Sequence, residues 1–167
     1  MYPKTYDPRG YQRQIRARRT SVVDAFSCQF CRADVSTLPL ISGVLNRNHC
    51  PYCLRSRHVD LRKPGDRMSA CKAIMQPIGL TMKPAHDKFG RLRTGELMLI
   101  HLCSGCGKLS INRIAADDMD ERLLDIYHDS LKLAGQLRQR LEESGIFILQ
   151  ADDRFQVTRQ LRGALQM

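Results

Sequence analysis

The sequence predicts an α+β fold: a small β-rich, zinc-ribbon-like module with two metal sites, followed by a long helix and a short hairpin. Three observations predict it. Cysteine pairs recur at Cys28-x2-Cys31, Cys50-x2-Cys53 and Cys103-x2-Cys106, with Cys71 between the last two. Residues 96–103 alternate, which places Leu97, Leu99, His101 and Cys103 on one face of a strand. Beyond them, Leu123, Leu124, Tyr127, Leu131, Ala134, Leu137 and Leu141 return at helical intervals and form an apolar stripe.

At 167 residues the chain makes one domain or one and a half. Its hydrophobic fraction is 43%, yet it has only five Phe, five Tyr and no Trp, and cores so poor in large side chains usually need staples. The seven cysteines are the evident ones. No apolar run reaches the roughly 18 residues of a membrane span, and Met1-Tyr2-Pro3-Lys4 leads into no signal-peptide core. A cytoplasmic location is expected, where thiols stay reduced and cysteine pairs bind metal more often than they form disulfides.

Charge divides the chain into an arm (1–24), the cysteine-rich module (25–116) and a C-terminal region (117–167). The arm carries six basic and two acidic side chains, the module fourteen and five, and the C-terminal region seven and ten, within a total of +10. A positive arm and module suit a polyanion.

Taken in order, the arm is broken by Pro3, Pro8 and Gly10. It holds Arg13, Arg16, Arg18 and Arg19 near Tyr2, Tyr6 and Tyr11, a pairing of phosphate ligands with rings that stack on bases. Residues 35–44 suggest a short strand or loop between two metal-binding turns. Pro64-Gly65 signals a turn, and residues 74–82 a strand with an edge or bulge at Pro77 and Gly79. A polar connection, 86–94, leads to the strand at 96–103, and residues 108–114 are placed to return antiparallel to it. Asp117-Asp118 offers an N-cap for the long helix, with acidic residues in its first turn. Ser144-Gly145 ends it. Residues 146–149 and 155–158 then read as hairpin strands around Asp152-Asp153.

Two tetrahedral sites need eight ligands, and seven cysteines with one histidine supply them. The simplest partition gives one site Cys28, Cys31, Cys50 and Cys53, and the other Cys71, Cys103, Cys106 and a histidine. His58 is favoured, with Asp60 placed to orient its ring; His101 is the alternative, and His49, beside Cys50, a weaker one. A crossed partition joining Cys28 and Cys31 to Cys103 and Cys106 is compatible with the spacing. Structural zinc in finger peptides contributes about 10–16 kcal/mol, against about 5–15 kcal/mol for the stability of a whole domain. Iron would also accept these sulfurs, but two-knuckle spacing favours zinc. Sites filled wholly by protein leave no position for water or substrate, so no catalysis is expected. Cys50-Pro51-Tyr52-Cys53 matches a redox dithiol, but the residues after it lack the amphipathic helix that lowers the first thiol's pKa.

Arg47-Asn48-His49-Cys50-Pro51 is the motif that names the RNHCP domain family, and the chain resembles that family across about residues 26–118. The resemblance runs through Phe26-Ser27-Cys28, Leu54-Arg55-Ser56-Arg57-His58-Val59-Asp60, Pro64-Gly65-Asp66-Arg67 and Cys71. It continues through Gly95-Glu96, His101-Leu102-Cys103-Ser104-Gly105-Cys106-Gly107 and Asn112-Arg113-Ile114-Ala115-Ala116-Asp117-Asp118. It implies a metal-binding module of bacterial type, without implying a reaction.

The functional expectation is therefore nucleic-acid binding, RNA before DNA, within a ribonucleoprotein such as the ribosome. Its candidate contacts are Arg13, Arg16, Arg18, Arg19, Arg47, His49, Arg55, Arg57 and Arg113. Asn48, Asp66 and Asn112 read instead as residues that hydrogen-bond the scaffold. The alternatives are an adaptor docking on a complex such as RNA polymerase through the C-terminal helix, and a thiol oxidoreductase.

Overall fold

The computed structural model describes residues 25–86 and 92–163. Its centre is a four-stranded antiparallel sheet in the order β3-β4-β5-β6: β3 (Ser56–Arg57), β4 (Ile74–His86), β5 (Leu92–Cys103) and β6 (Leu109–Arg113). A separate two-stranded ribbon, β1 (Ala25–Ser27) with β2 (Asp34–Ser36), precedes it. A four-residue helix, α1 (Pro39–Ser42), follows the ribbon, with proline in its first turn and Gly43 at φ 69° closing it.

Strands β4 and β5 form the long hairpin that carries the fold, paired from Met75↔Cys103 to His86↔Leu92. The register shifts between Pro77 and Gly79 and again between Lys83 and Ala85, where a proline breaks the ladder. Strand β5 is longer than its alternation suggests and is covered on both faces: Leu97 and Leu99 are buried on one, Met98 and Ile100 on the other.

Three helices supply that cover, and here the structure corrects the expected long helix. The stripe at 123–141 is divided between α2 (Asp120–Ser130) and α3 (Gly135–Glu143). Leu123, Ile126 and Tyr127 of α2 join Leu54, Leu80, Leu97 and Leu99 in the main core. Leu137 and Leu141 of α3 pack with Ile100, Ile78 and Ile111 instead. Arg138 secures the break, donating to the carbonyls of Ser130 (3.0 Å), Leu131 (2.9 Å) and Leu133 (3.2 Å). These are carbonyls that a helix terminus otherwise leaves without partners. Gly135 therefore opens a helix rather than weakening the middle of one. At its end, Gly145 adopts φ 70° and its N–H reaches the Glu142 carbonyl at 2.9 Å, the stop that Ser144-Gly145 signals.

The expected hairpin is also absent. Residues 147–149 run along the open edge of β4: Leu149 N–H donates to Leu80 O at 3.0 Å and the Thr81 hydroxyl to Phe147 O at 2.6 Å. Covering a free edge satisfies backbone groups that a two-stranded hairpin would leave exposed. Asp153, read as a turn residue, accepts the Gln150 N–H at 2.7 Å and starts a helical turn. The chain continues as α4 (Arg154–Arg162), whose Val157 completes the main core. Among the described residues, no helix is long and apolar enough to cross a membrane.

Two glycines set opposite expectations. A Cβ on Gly95 would lie 2.6 Å from the Lys83 backbone oxygen, whereas one on Gly135 would meet nothing within 4 Å. Gly95→Ala should lower stability by about 1–3 kcal/mol because backbone must move. Gly135→Ala should raise it by up to about 1 kcal/mol through a less disordered unfolded chain. Denaturant midpoints at unchanged m-value, in zinc-saturated buffer, give both signs.

Candidate metal centres

Each Cys-x-x-Cys pair closes the same turn. The N–H of the first cysteine donates to the carbonyl five residues on, as in Cys28→Ala33 (2.8 Å), Cys50→Arg55 (3.0 Å) and Cys103→Lys108 (2.9 Å). The N–H four residues on returns to the cysteine carbonyl, from Arg32, Leu54 and Gly107. Those returning residues have φ of 65°, 56° and 73°. Only the third turn uses glycine, the residue suited to that region. The strain accepted at Arg32 and Leu54 keeps each pair of sulfurs pointing at one spot.

The turns meet in two groups whose ligand atoms all lie within 4.8 Å of one another. The first comprises Cys28, Cys31, Cys50 and Cys53. Cys28 Sγ stands 3.6 Å from Cys53 Sγ, and Cys31 Sγ 3.5 Å from Cys50 Sγ. The second comprises His58, Cys71, Cys103 and Cys106, with Cys71 Sγ 3.6 Å from Cys103 Sγ and His58 Nδ1 3.2 Å from Cys106 Sγ. A tetrahedron with zinc–sulfur bonds near 2.3 Å has sulfur–sulfur edges of about 3.8 Å, so both donor sets fit zinc. The partition is the uncrossed one.

Among the candidate histidines, His58 alone joins a tetrad. His101 is wholly buried on β5, where its Nε2 donates to Leu54 O at 2.7 Å and its Nδ1 accepts from the Asn112 amide at 2.8 Å. Burial first, then neighbouring His49, lowers its pKa to about 3 and keeps it neutral. His58 is also pushed down, by burial and then by Lys108, which favours the neutral imidazole that binds metal. The Asp60 carboxylate accepts the backbone N–H groups of Gly65 (2.9 Å) and Arg67 (3.1 Å), and among the described residues His58 Nε2 is buried without a side-chain hydrogen-bond partner. Asp66 receives four N–H groups from 61–68 and is held well below the usual carboxylate range by those of Leu61, Arg62 and Lys63 in that order.

The thiols show what a bound cation relieves. Burial raises Cys50 and Cys53, whereas the backbone N–H groups of Cys31 and Phe30 overcome burial and bring Cys28 down to about 7. Four thiolates this close repel one another, and a divalent ion offsets that repulsion while replacing their protons.

The name-giving motif faces inward. Arg47 donates to both Asp117 oxygens at 2.6 Å, to Asp118 at 3.1 Å and to the His49 carbonyl at 3.1 Å. His49 Nε2 donates to Asp118 Oδ2 at 2.8 Å, and the Ala115 N–H donates to the same oxygen at 2.7 Å. The side chains of Arg47 and Asp118 are both 0% exposed. This corrects the expected roles of all four residues. Arg47 and His49 are withdrawn from any nucleic acid, and Asp117 and Asp118 hold the motif while α2 starts at Asp120 without a side-chain cap. Their partnership spans 70 residues, so no local pattern announces it.

Of the remaining candidate contacts, Arg55 lies over the Phe30 ring, 3.4 Å from its centroid. Arg57 is exposed and donates through Nε to Lys72 O at 3.2 Å. Arg113 is exposed and pairs with Glu96 at 3.0 Å. Arg13, Arg16, Arg18 and Arg19 lie outside the described residues.

Two measurements test this arrangement. Metal analysis of the native chain should give two zinc per chain, His58→Ala should leave one tightly held, and acid should release both as protons compete for the thiolates. Asp118→Asn should keep two zinc but lose about 3 kcal/mol of stability, because buried His49 loses its carboxylate and buried Arg47 is left with Asp117 alone; denaturant melts of zinc-loaded protein give the figure.

Comparison with known proteins agrees with this geometry. No curated protein and no solved structure matches the chain. The model of the RNHCP domain matches residues 23–124, which takes in both tetrads and the Arg47–Asp118 network. With the motif, both tetrads and more than half its length inside that match, the chain belongs to the RNHCP domain family.

Proposed function

We propose that the chain is a non-catalytic zinc-stapled module that binds nucleic acid, RNA before DNA, as part of a ribonucleoprotein such as the ribosome. The observation that carries this reading is the unequal fate of charge in residues 25–116. Among the described acidic residues there, Asp60 and Asp66 accept backbone N–H groups, Asp34 accepts the Ser27 hydroxyl, and Glu96 pairs with Arg113. Basic side chains remain in excess on a scaffold whose loops are tied by sulfur ligands. Fixed positive groups on irregular loops suit the phosphates and unpaired bases of folded RNA, and the described residues place no recognition helix among the ligands of the kind that reads a major groove.

Two features support the non-catalytic part. Each tetrad fills all its positions with protein donors, which is the pattern of structural zinc. Cys50 is fully buried, and the chain continues from Cys53 into the short strand β3 rather than into a helix that would activate a dithiol. The adaptor reading relies on the apolar face of the C-terminal helices, and Leu123, Ile126, Tyr127 and Leu141 of that face are buried against the sheet.

Affinity for single-stranded and structured RNA, measured across a salt series, tests the proposal. With about six phosphates contacted, log affinity should fall against log salt with a slope of about −4 to −5. Deleting residues 1–24 should flatten that slope, because the arm's arginines leave with it. Binding that is absent, or indifferent to salt, overturns the proposal.

A further inference from the structure

A cavity of about 380 Å³ opens between the β1–β2 ribbon and strand β3, beside the first tetrad. Its lining contains four arginines, two phenylalanines and no acidic residue. Arg47 is neutralised by Asp117 and Asp118. Arg55, Arg57 and Arg67 carry the remaining charge, with Arg67 drawn loosely towards Asp60 at 3.7 Å.

Two flat groups meet at this cavity. The Arg55 guanidinium stacks on Phe30, a ring that is 53% exposed. A guanidinium held flat on a ring is a platform on which a nucleobase stacks. Asn48 also lines the cavity, half-buried between two residues that turn inward; its backbone carbonyl accepts the Ser56 hydroxyl, but its amide has no partner among the described residues. Among the described residues its amide is left to offer a donor and an acceptor to a base edge.

We propose that this cavity receives one unstacked nucleotide of a single-stranded RNA. Its base lies against the Phe30–Arg55 platform, its edge meets Asn48, and its phosphate meets Arg57 and Arg67. The volume suits a nucleotide-sized ligand. Stacking selects a single strand, since a base inside a duplex has both faces covered. The inference rests on the nucleic-acid reading above and adds to it the place and the form of the nucleotide.

The test uses full-length, zinc-loaded protein and three probes at one salt concentration: a 12-nucleotide single-stranded RNA, a duplex RNA of the same length, and free nucleoside monophosphates. Phe30→Ala should weaken single-strand binding about tenfold and leave duplex binding and the zinc content unchanged. Arg57→Gln, outside the Cys-x-x-Cys turns, should weaken it as well with both zinc ions retained, whereas Phe155→Ala, an exposed ring on α4, should not. If the native chain binds the single strand but neither cavity variant weakens it, or both weaken the duplex equally, the cavity is not the nucleotide site while the broader function stands. Free nucleotides binding as tightly as the oligonucleotide would make this a small-molecule site and overturn the inference. No binding to any probe overturns both proposals.

Discussion

Convergence of sulfur ligands from distant loops is the constraint on which the structure depends. The first tetrad draws on the β1–β2 ribbon and the loop before β3, and the second on the loops after β3, before β4 and between β5 and β6. Those loops have little regular structure of their own, and their cores are small: Cys28, Val35 and Cys50 form the buried cluster beneath the ribbon. A few apolar side chains cannot offset the entropy of ordering such loops. Metal coordination at two points can, because its strength is concentrated in a few bonds. This also accounts for strained φ values at Arg32 and Leu54, conformations that a weaker closure would not hold.

The Arg47–Asp117–Asp118–His49 network answers a second need. A metal site fixes its own loops but not their position on the sheet. The network joins the turn at Cys50 to the segment leaving β6, and the hydrogen bond from Met119 N–H to Pro51 O reinforces the joint. Buried ion pairs contribute little net stability against apolar replacements of equal size, because desolvation opposes the attraction. Their value here is specificity, as Arg47 can satisfy its planar donors in one relative placement of the two segments. His101 and Asn112 extend the same polar layer, with Leu54 as acceptor, so the second turn is held by backbone as well as by sulfur.

The surface divides into faces with different chemistry. The C-terminal helices put their apolar sides on the sheet, which gives the mildly acidic region a structural task. Arg55, Arg57 and Arg67 of the module line the cavity beside the first tetrad. Placing Arg55 on Phe30 costs little entropy because the ring and the metal-held turn already restrict it.

Cysteine spacing alone announced that paired sulfurs would share metal ions, since two sulfurs three residues apart suit a common ion with a similar pair, but only the fold decided that Cys28 and Cys31 meet Cys50 and Cys53. Alternation determined β5, and helical periodicity found the apolar positions of α2 and α3. Tertiary structure decided the rest. Periodicity reports which side chains seek cover but not which side of a sheet provides it, so one apparent helix became two on opposite faces. Residues 146–149 found a partner in the open edge of β4, a choice set by an edge that local sequence does not contain. His58 and His101 are chemically equivalent along the chain, and only the pairing of β3 with β4 brings one to the sulfurs while β5 buries the other. The inward turn of Arg47 was hidden for the same reason, because its carboxylates lie 70 residues away and become neighbours only when β6 completes the sheet.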